Sequence, residues 1–167
     1  MKTKKLTELA LLTTVALIIF TIELKIPNPI PIPGVKLGLA NIVTIYAVYR
    51  YRPSETLSVV LIRIFLGALF GGNFSALLYS LVGGLLCLAG MISLSKAIPE
   101  RYIWLCSVFG AVLHNVGQIA AAILISGTLS VIAYLPFLLI SGCAAGIFTG
   151  ITAQLIVNKI GKIKLGR

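Results

Sequence analysis

IWLCSVFGAVLHNVGQIAAAILI, residues 103–125, carries no charged side chain and runs unbroken from Arg101-Tyr102 to the turn-forming Ser126-Gly127-Thr128. A helix that crosses the roughly 30 Å hydrocarbon core of a bilayer needs about 20 mainly apolar residues, and this stretch supplies them. Only His114, Asn115 and Gln118 bring strong hydrogen-bonding side chains into its middle. Outward from it lie five more apolar stretches, at residues 6–24, 35–49, 54–70, 74–95 and 129–158. Pro53 stands where a helix start accepts proline. The last stretch is long, and Pro136 is its expected kink site. The expected fold is therefore an all-α integral membrane protein, a compact bundle of six transmembrane helices, with residues 1–167 forming a single transmembrane domain.

Composition excludes the main alternatives. The chain of 167 residues is 59% hydrophobic and 11% charged, with a mean hydropathy of +1.07. A soluble domain of this size has too little interior to hide that much apolar surface. No phosphate loop of the GxxxxGK[ST] type occurs, and the length leaves no room for a nucleotide-binding domain. The net charge of +10 would suit nucleic acid in a soluble protein, but here the basic residues sit at the ends of apolar segments, so no nucleic-acid partner is expected. Cys87, Cys106 and Cys143 all lie inside apolar runs, without CxxC spacing, and are read as free thiols rather than disulfides or zinc ligands. The first apolar run lacks a small-residue cleavage site and is read as a retained helix rather than a signal peptide.

Charge fixes the expected orientation. Lys2, Lys4 and Lys5, then Arg50 and Arg52, then Lys96 and Arg101, then Lys159, Lys162, Lys164 and Arg167 fall on one side of the alternating connections. The other side has only Lys25 and Lys36. The positive-inside rule reads this as both termini in the cytoplasm.

Two connecting features allow two readings each. Residues 26–34, Ile-Pro-Asn-Pro-Ile-Pro-Ile-Pro-Gly, hold the chain extended. They form either a stiff connector in the headgroups or a lid over a pocket. Gly142, Gly146 and Gly150 are spaced four apart, which lets helices approach closely in lipid. They pack either inside the bundle or against another subunit.

The chain has no aspartate, and its acids are Glu8, Glu23, Glu55 and Glu100. Paired carboxylates for acid–base work or a magnesium cage are missing, and a Ser-His-Asp triad is impossible. No catalytic residue, metal site or cofactor is expected. Arg63 is the most informative residue, because an arginine at membrane depth costs at least about 2.5 kcal/mol on insertion scales. It must face the bundle interior, either paired with Glu23 or backbone carbonyls or serving as an anion-binding group. His114 and Gln118 share one helical face, with Asn115 beside it. They offer either interhelical hydrogen bonds or ligand contacts. Lys25, Lys36, Arg63 and the His114 cluster, with Asn41 in the outer half of the second stretch, all fall at mid-depth or toward the outer side, a cation-rich polar set suited to a small anionic ligand with an apolar body. Glu23 would neutralise part of that set.

Three stretches, GVKLGLAN (34–41), RIFLGALFGG (63–72) and GAVLHNVGQ (110–118), resemble the family called heptaprenyl diphosphate synthase component I, also the Gx transporter family. That family is similar to the substrate-binding S components of energy-coupling factor (ECF) transporters. The resemblance implies a six-helix capture subunit whose outward pocket lies under the first outer loop. It also implies that Ala10 and Thr14 contact a transmembrane coupling subunit driven by ATPases. The usual pattern has alanine at both of those positions. The expected function is capture of an anionic, partly apolar ligand (an isoprenoid or quinone precursor, or a vitamin) from the outside, with ATP hydrolysed by partner subunits. The alternative is a non-catalytic membrane subunit of a prenyl diphosphate synthase, which would bind a soluble aspartate-rich catalytic partner.

Overall fold

Apolar runs in lipid have one economical solution, because only a helix satisfies every backbone donor and acceptor within its own segment. The computed structural model describes residues 3–26, 38–71 and 74–165, and every regular element among them is helical. The elements are α1 (Thr3–Glu23), α2 (Asn41–Arg50), α3 (Pro53–Gly71), α4 (Phe74–Ser95), α5 (Ile103–Ser126) and α6 (Leu135–Leu165). Short 3-10 turns at Glu100–Tyr102 and Leu129–Tyr134 lead into α5 and α6. Five helices among the described residues are long and apolar enough to cross a membrane. Exposed Leu11, Phe65, Leu69, Leu124, Phe137 and Ile140 ring the outside, as expected of a multi-pass membrane protein whose solvent is lipid.

Two expectations are corrected. The stretch at 35–49 does not give a full-length helix, since α2 begins only at Asn41 and has 10 residues. At 1.5 Å per residue it is about 15 Å long, half the hydrocarbon thickness. The cause is Gly38, whose φ of +79° lies in the left-handed region, open to glycine and closed to helix continuation. Pro136 does not kink the last helix either. It is the second residue of α6, where its missing N–H removes no helical bond, and the 3-10 turn before it absorbs the rest of the long stretch. At the far end of α5 Gly127 ends the helix: its φ is +66° and its N–H returns to the Ile123 carbonyl at 2.8 Å.

α5 is sandwiched between α4 and α6, while the short α2 touches all five other helices. Its Ile45 joins Cys87, Met91, Ile103, Cys106, Ala153 and Val157 in a fully buried cluster. Side-chain contacts gather the charged ends of the helices together. Lys5 pairs with Glu55 at 2.7 Å, and Arg50 with Glu100 at 3.4 Å. Tyr51 donates to Glu8 at 3.2 Å, and Arg50 to the Val157 carbonyl at 3.3 Å. The start of α1, the end of α2, the start of α3, the α4–α5 connection and the end of α6 therefore share one basic end of the bundle. α2 fills the bundle axis only from that end, and Asn41, at its inner terminus, stands about halfway through.

Candidate functional site

The site lies where α2 stops. Asn41 is buried there, at 4% exposure. The next requirement is to satisfy the backbone just before it, since the N–H groups of Gly38 and Leu39 are held deep inside a lipid-embedded bundle. Glu23, the last residue of α1, does this. Its two carboxylate oxygens accept the Gly38 N–H at 2.6 Å and the Leu39 N–H at 3.1 Å. The carboxylate thus occupies a nest of backbone donors ahead of a helix N-terminus, the location that favours an anion. The first N–H groups of α2 turn back on the chain, Asn41 to the Gly38 carbonyl at 2.9 Å and Ile42 to that of Leu39 at 3.1 Å.

Gly38 is required here for space as well as for its φ. A Cβ would come within 2.9 Å of Asn41 Nδ2 and 3.3 Å of His114 Cδ2. Asn41 and His114 are therefore neighbours across this turn. On α4, Gly83 and Gly84 complete the assembly. Successive helical residues point about 100° apart, so Gly83 faces α5 and Gly84 faces α3. A Cβ on Gly83 would meet the His114 carbonyl oxygen at 2.8 Å and Gln118 Cγ at 3.1 Å. A Cβ on Gly84 would meet Ile64 Cδ1 at 3.0 Å and Arg63 Nη2 at 3.9 Å. The two glycines bring Arg63 of α3 and His114 and Gln118 of α5 to adjacent faces of one helix.

Arg63 is 5% exposed, and its Nε has no hydrogen-bond partner among the described residues. Glu23 is the carboxylate whose charge acts on it. His114 (5%) and Gln118 (1%) are equally buried. Asn115 points elsewhere. Its amide donates to the Leu138 carbonyl and its side chain lies against Gly142, so it pins α5 to α6. Lys36 and the proline-rich connection at residues 27–33 lie outside the described residues.

The remaining sequence-derived residues fall in two places. Gly142, Gly146 and Gly150 face α5, where Cβ atoms on the last two would stand 2.8 Å from Val108 Cα and 2.5 Å from Trp104 Cα. Ala10 and Thr14 line an outward groove of 650 Å³ between α1 and α3, along with Thr13, Ser54 and Ser58. The Thr14 hydroxyl donates to the Ala10 carbonyl at 3.0 Å, which hides its polarity and leaves a small side chain in the groove. The sequence reading treated Glu23 as a partner of Arg63 or a diluting charge, not as the acceptor for the Gly38 and Leu39 N–H groups, and passed over Gly83-Gly84. The signal for the first was a carboxylate at the lipid-buried end of a helix; for the second, paired glycines in the middle of an apolar run.

A family model described as heptaprenyl diphosphate synthase component I matches residues 12–156. The chain belongs to that family. The match runs from α1 into α6 and so takes in every residue of the polar assembly around Asn41, from Glu23 to Gln118. Comparison with curated proteins and with solved structures finds no match. Membership in the component I family goes with a membrane protein of apolar helices; the polar cluster at the end of α2 is what remains to be given a task.

Proposed function

We propose that this component I protein is a substrate-capturing membrane subunit, similar in role to the S component of an ECF uptake transporter. It takes a small anionic, partly apolar molecule from outside a bacterial plasma membrane, six membrane-inserted helices surrounding the ligand and both termini facing the cytoplasm. The observation that carries this reading is Arg63, a buried guanidinium whose Nε has no partner among the described residues. Intramembrane arginines are expensive and tend to mark ligand or ion paths. Arg63 holds the anion, and Asn41, His114 and Gln118 give hydrogen bonds, while Lys36 adds a second cation. The apolar surroundings suit an isoprenoid or quinone precursor, or a vitamin. The groove containing Ala10 and Thr14 receives a coupling subunit, and ATP is hydrolysed by partner ATPases.

The test is mass spectrometry of small molecules extracted from the purified protein, wild type beside Arg63→Gln, with thermal unfolding as a check on folding. A stoichiometric anionic molecule in the wild type, reduced about ten- to hundredfold in the variant, is expected from the loss of a charge-assisted hydrogen bond. Equal retention by a folded variant removes Arg63 from the site. The family's description favours one other reading, a non-catalytic membrane subunit of a prenyl diphosphate synthase. Synthase activity in a two-component mixture that disappears without this chain would establish it.

A further inference from the structure

At the basic end, away from the polar cluster, a cleft of 380 Å³ opens between α1 and α6. Leu11, Leu12 and Ile160 give it apolar walls, while Arg50, Tyr46 and Tyr51 give it a polar head. Arg50 closes α2. Its Nη2 reaches Glu100 and the Val157 carbonyl at 3.4 and 3.3 Å. Its Nε has no acceptor among the described residues. A guanidinium has five N–H donors, and the Arg50 side chain is 27% exposed, so donors remain for a further anion at the cleft. The one carboxylate in the cleft, Glu8, accepts the Tyr51 hydroxyl at 3.2 Å. Lys4 stands one helical turn before Glu8, on the same side of α1, and exposed Lys159 precedes Ile160. With Glu100 counted, Arg50, Lys4 and Lys159 thus set three cations against two carboxylates near this end, and leucine and isoleucine line the rest of the cleft.

We propose that this cleft is a binding site for an anionic phospholipid of the leaflet at the basic end. The phosphodiester lies against Arg50, and an acyl chain runs down between Leu11 and Ile160. Three features support that occupant over a soluble anion: the apolar walls, the opening between two membrane helices, and the headgroup depth set by the charged helix ends. Basic clefts of this kind between membrane helices suit acidic headgroups. The proposal is independent of the Arg63 site and of the transport reading.

The experiment uses full-length protein purified in a mild detergent and titrated with dioleoyl-phosphatidylglycerol, with dioleoyl-phosphatidylcholine as the neutral comparison. Native mass spectrometry counts bound lipid. Wild type is expected to hold one phosphatidylglycerol in preference to phosphatidylcholine. Arg50→Gln is expected to weaken that binding about tenfold or more. Arg50 also ties α2 to Glu100 and Val157, so Leu11→Trp serves as a second variant. It fills the cleft from an exposed position and leaves those bonds intact, and it should reduce binding as much. Arg101→Gln, a basic residue at the same end but outside the cleft, should change nothing. Equal binding of the two lipids by wild type, or undiminished phosphatidylglycerol binding in Leu11→Trp, overturns the proposal.

Discussion

Glu23 is the residue on which the candidate site depends most. A carboxylate buried at 6% exposure is costly unless it is hydrogen-bonded, and here two backbone N–H groups and the field of Arg63 compensate it. Glu23→Ala strips the acceptors from Gly38 and Leu39 and leaves Arg63 without its carboxylate. The expected loss is about 2 kcal/mol or more of stability, read by unfolding in mixed micelles, with amide exchange at Gly38 and Leu39 accelerated in step. Glu23→Gln keeps one acceptor and should fall between. At the opposite end, burial and then the Glu8 carboxylate push the Tyr51 hydroxyl up to about 12 from its ordinary 10.0. A raised value means the neutral phenol is the form the fold favours. Its contribution is complete below pH 10 and is lost as the pH climbs through 12. At pH 11 the tyrosinate absorbance of folded wild type should therefore match that of Tyr51→Phe, and a difference of about one tyrosinate should appear only on unfolding.

Helix pairs are set by where side chains are missing. Along α6 the glycine stripe lets α5 approach until backbone meets backbone. Gly150→Val would place a Cβ 2.5 Å from Trp104 Cα and 2.8 Å from Ser107 Cβ, forcing the helices apart. A cost of about 1–3 kcal/mol is expected, while Ala144→Val, on the exposed side of the same helix, should stay within about 0.5 kcal/mol. Thermal unfolding of the two variants side by side checks this. The spacing of glycines was plain in the sequence, but not their partner. Either an internal helix or a second subunit could have answered the same small-residue stripe, and only the packing against Trp104, Ser107 and Val108 decides between them. The second apolar stretch shows the reverse problem. Hydropathy promised one helix over residues 35–49, and the backbone angle at Gly38 bars a continuous helix through that position, because apolar content reports the solvent of a segment and not its dihedrals.

For the molecule as a whole, the gathered basic end and the positive-inside rule make orientation testable. Thr128 and Lys96 are both exposed and lie at opposite ends of α5 and its preceding turn. Cys87 and Cys106 are buried and Cys143 is half-buried, so background labelling should be low. In intact cells a membrane-impermeant maleimide should label Thr128→Cys, and it should label Lys96→Cys only after permeabilisation. The opposite pattern would invert the assignment and contradict the proposed capture of a ligand from outside.

Sequence alone determined the solvent of this protein. Long uncharged runs force helices, because a helix alone satisfies its backbone within a single segment in lipid, and basic residues collect at their ends. It also singled out Arg63, His114 and Gln118, since each is too costly at membrane depth to be incidental. Only the tertiary structure decided how these residues meet. A left-handed glycine stops α2 halfway, Glu23 fills the donor nest at its start, and two adjacent glycines on α4 bring Arg63 and His114 to neighbouring faces. These relations depend on backbone angles and on distances between residues far apart in the chain, and hydropathy along a single helix carries neither.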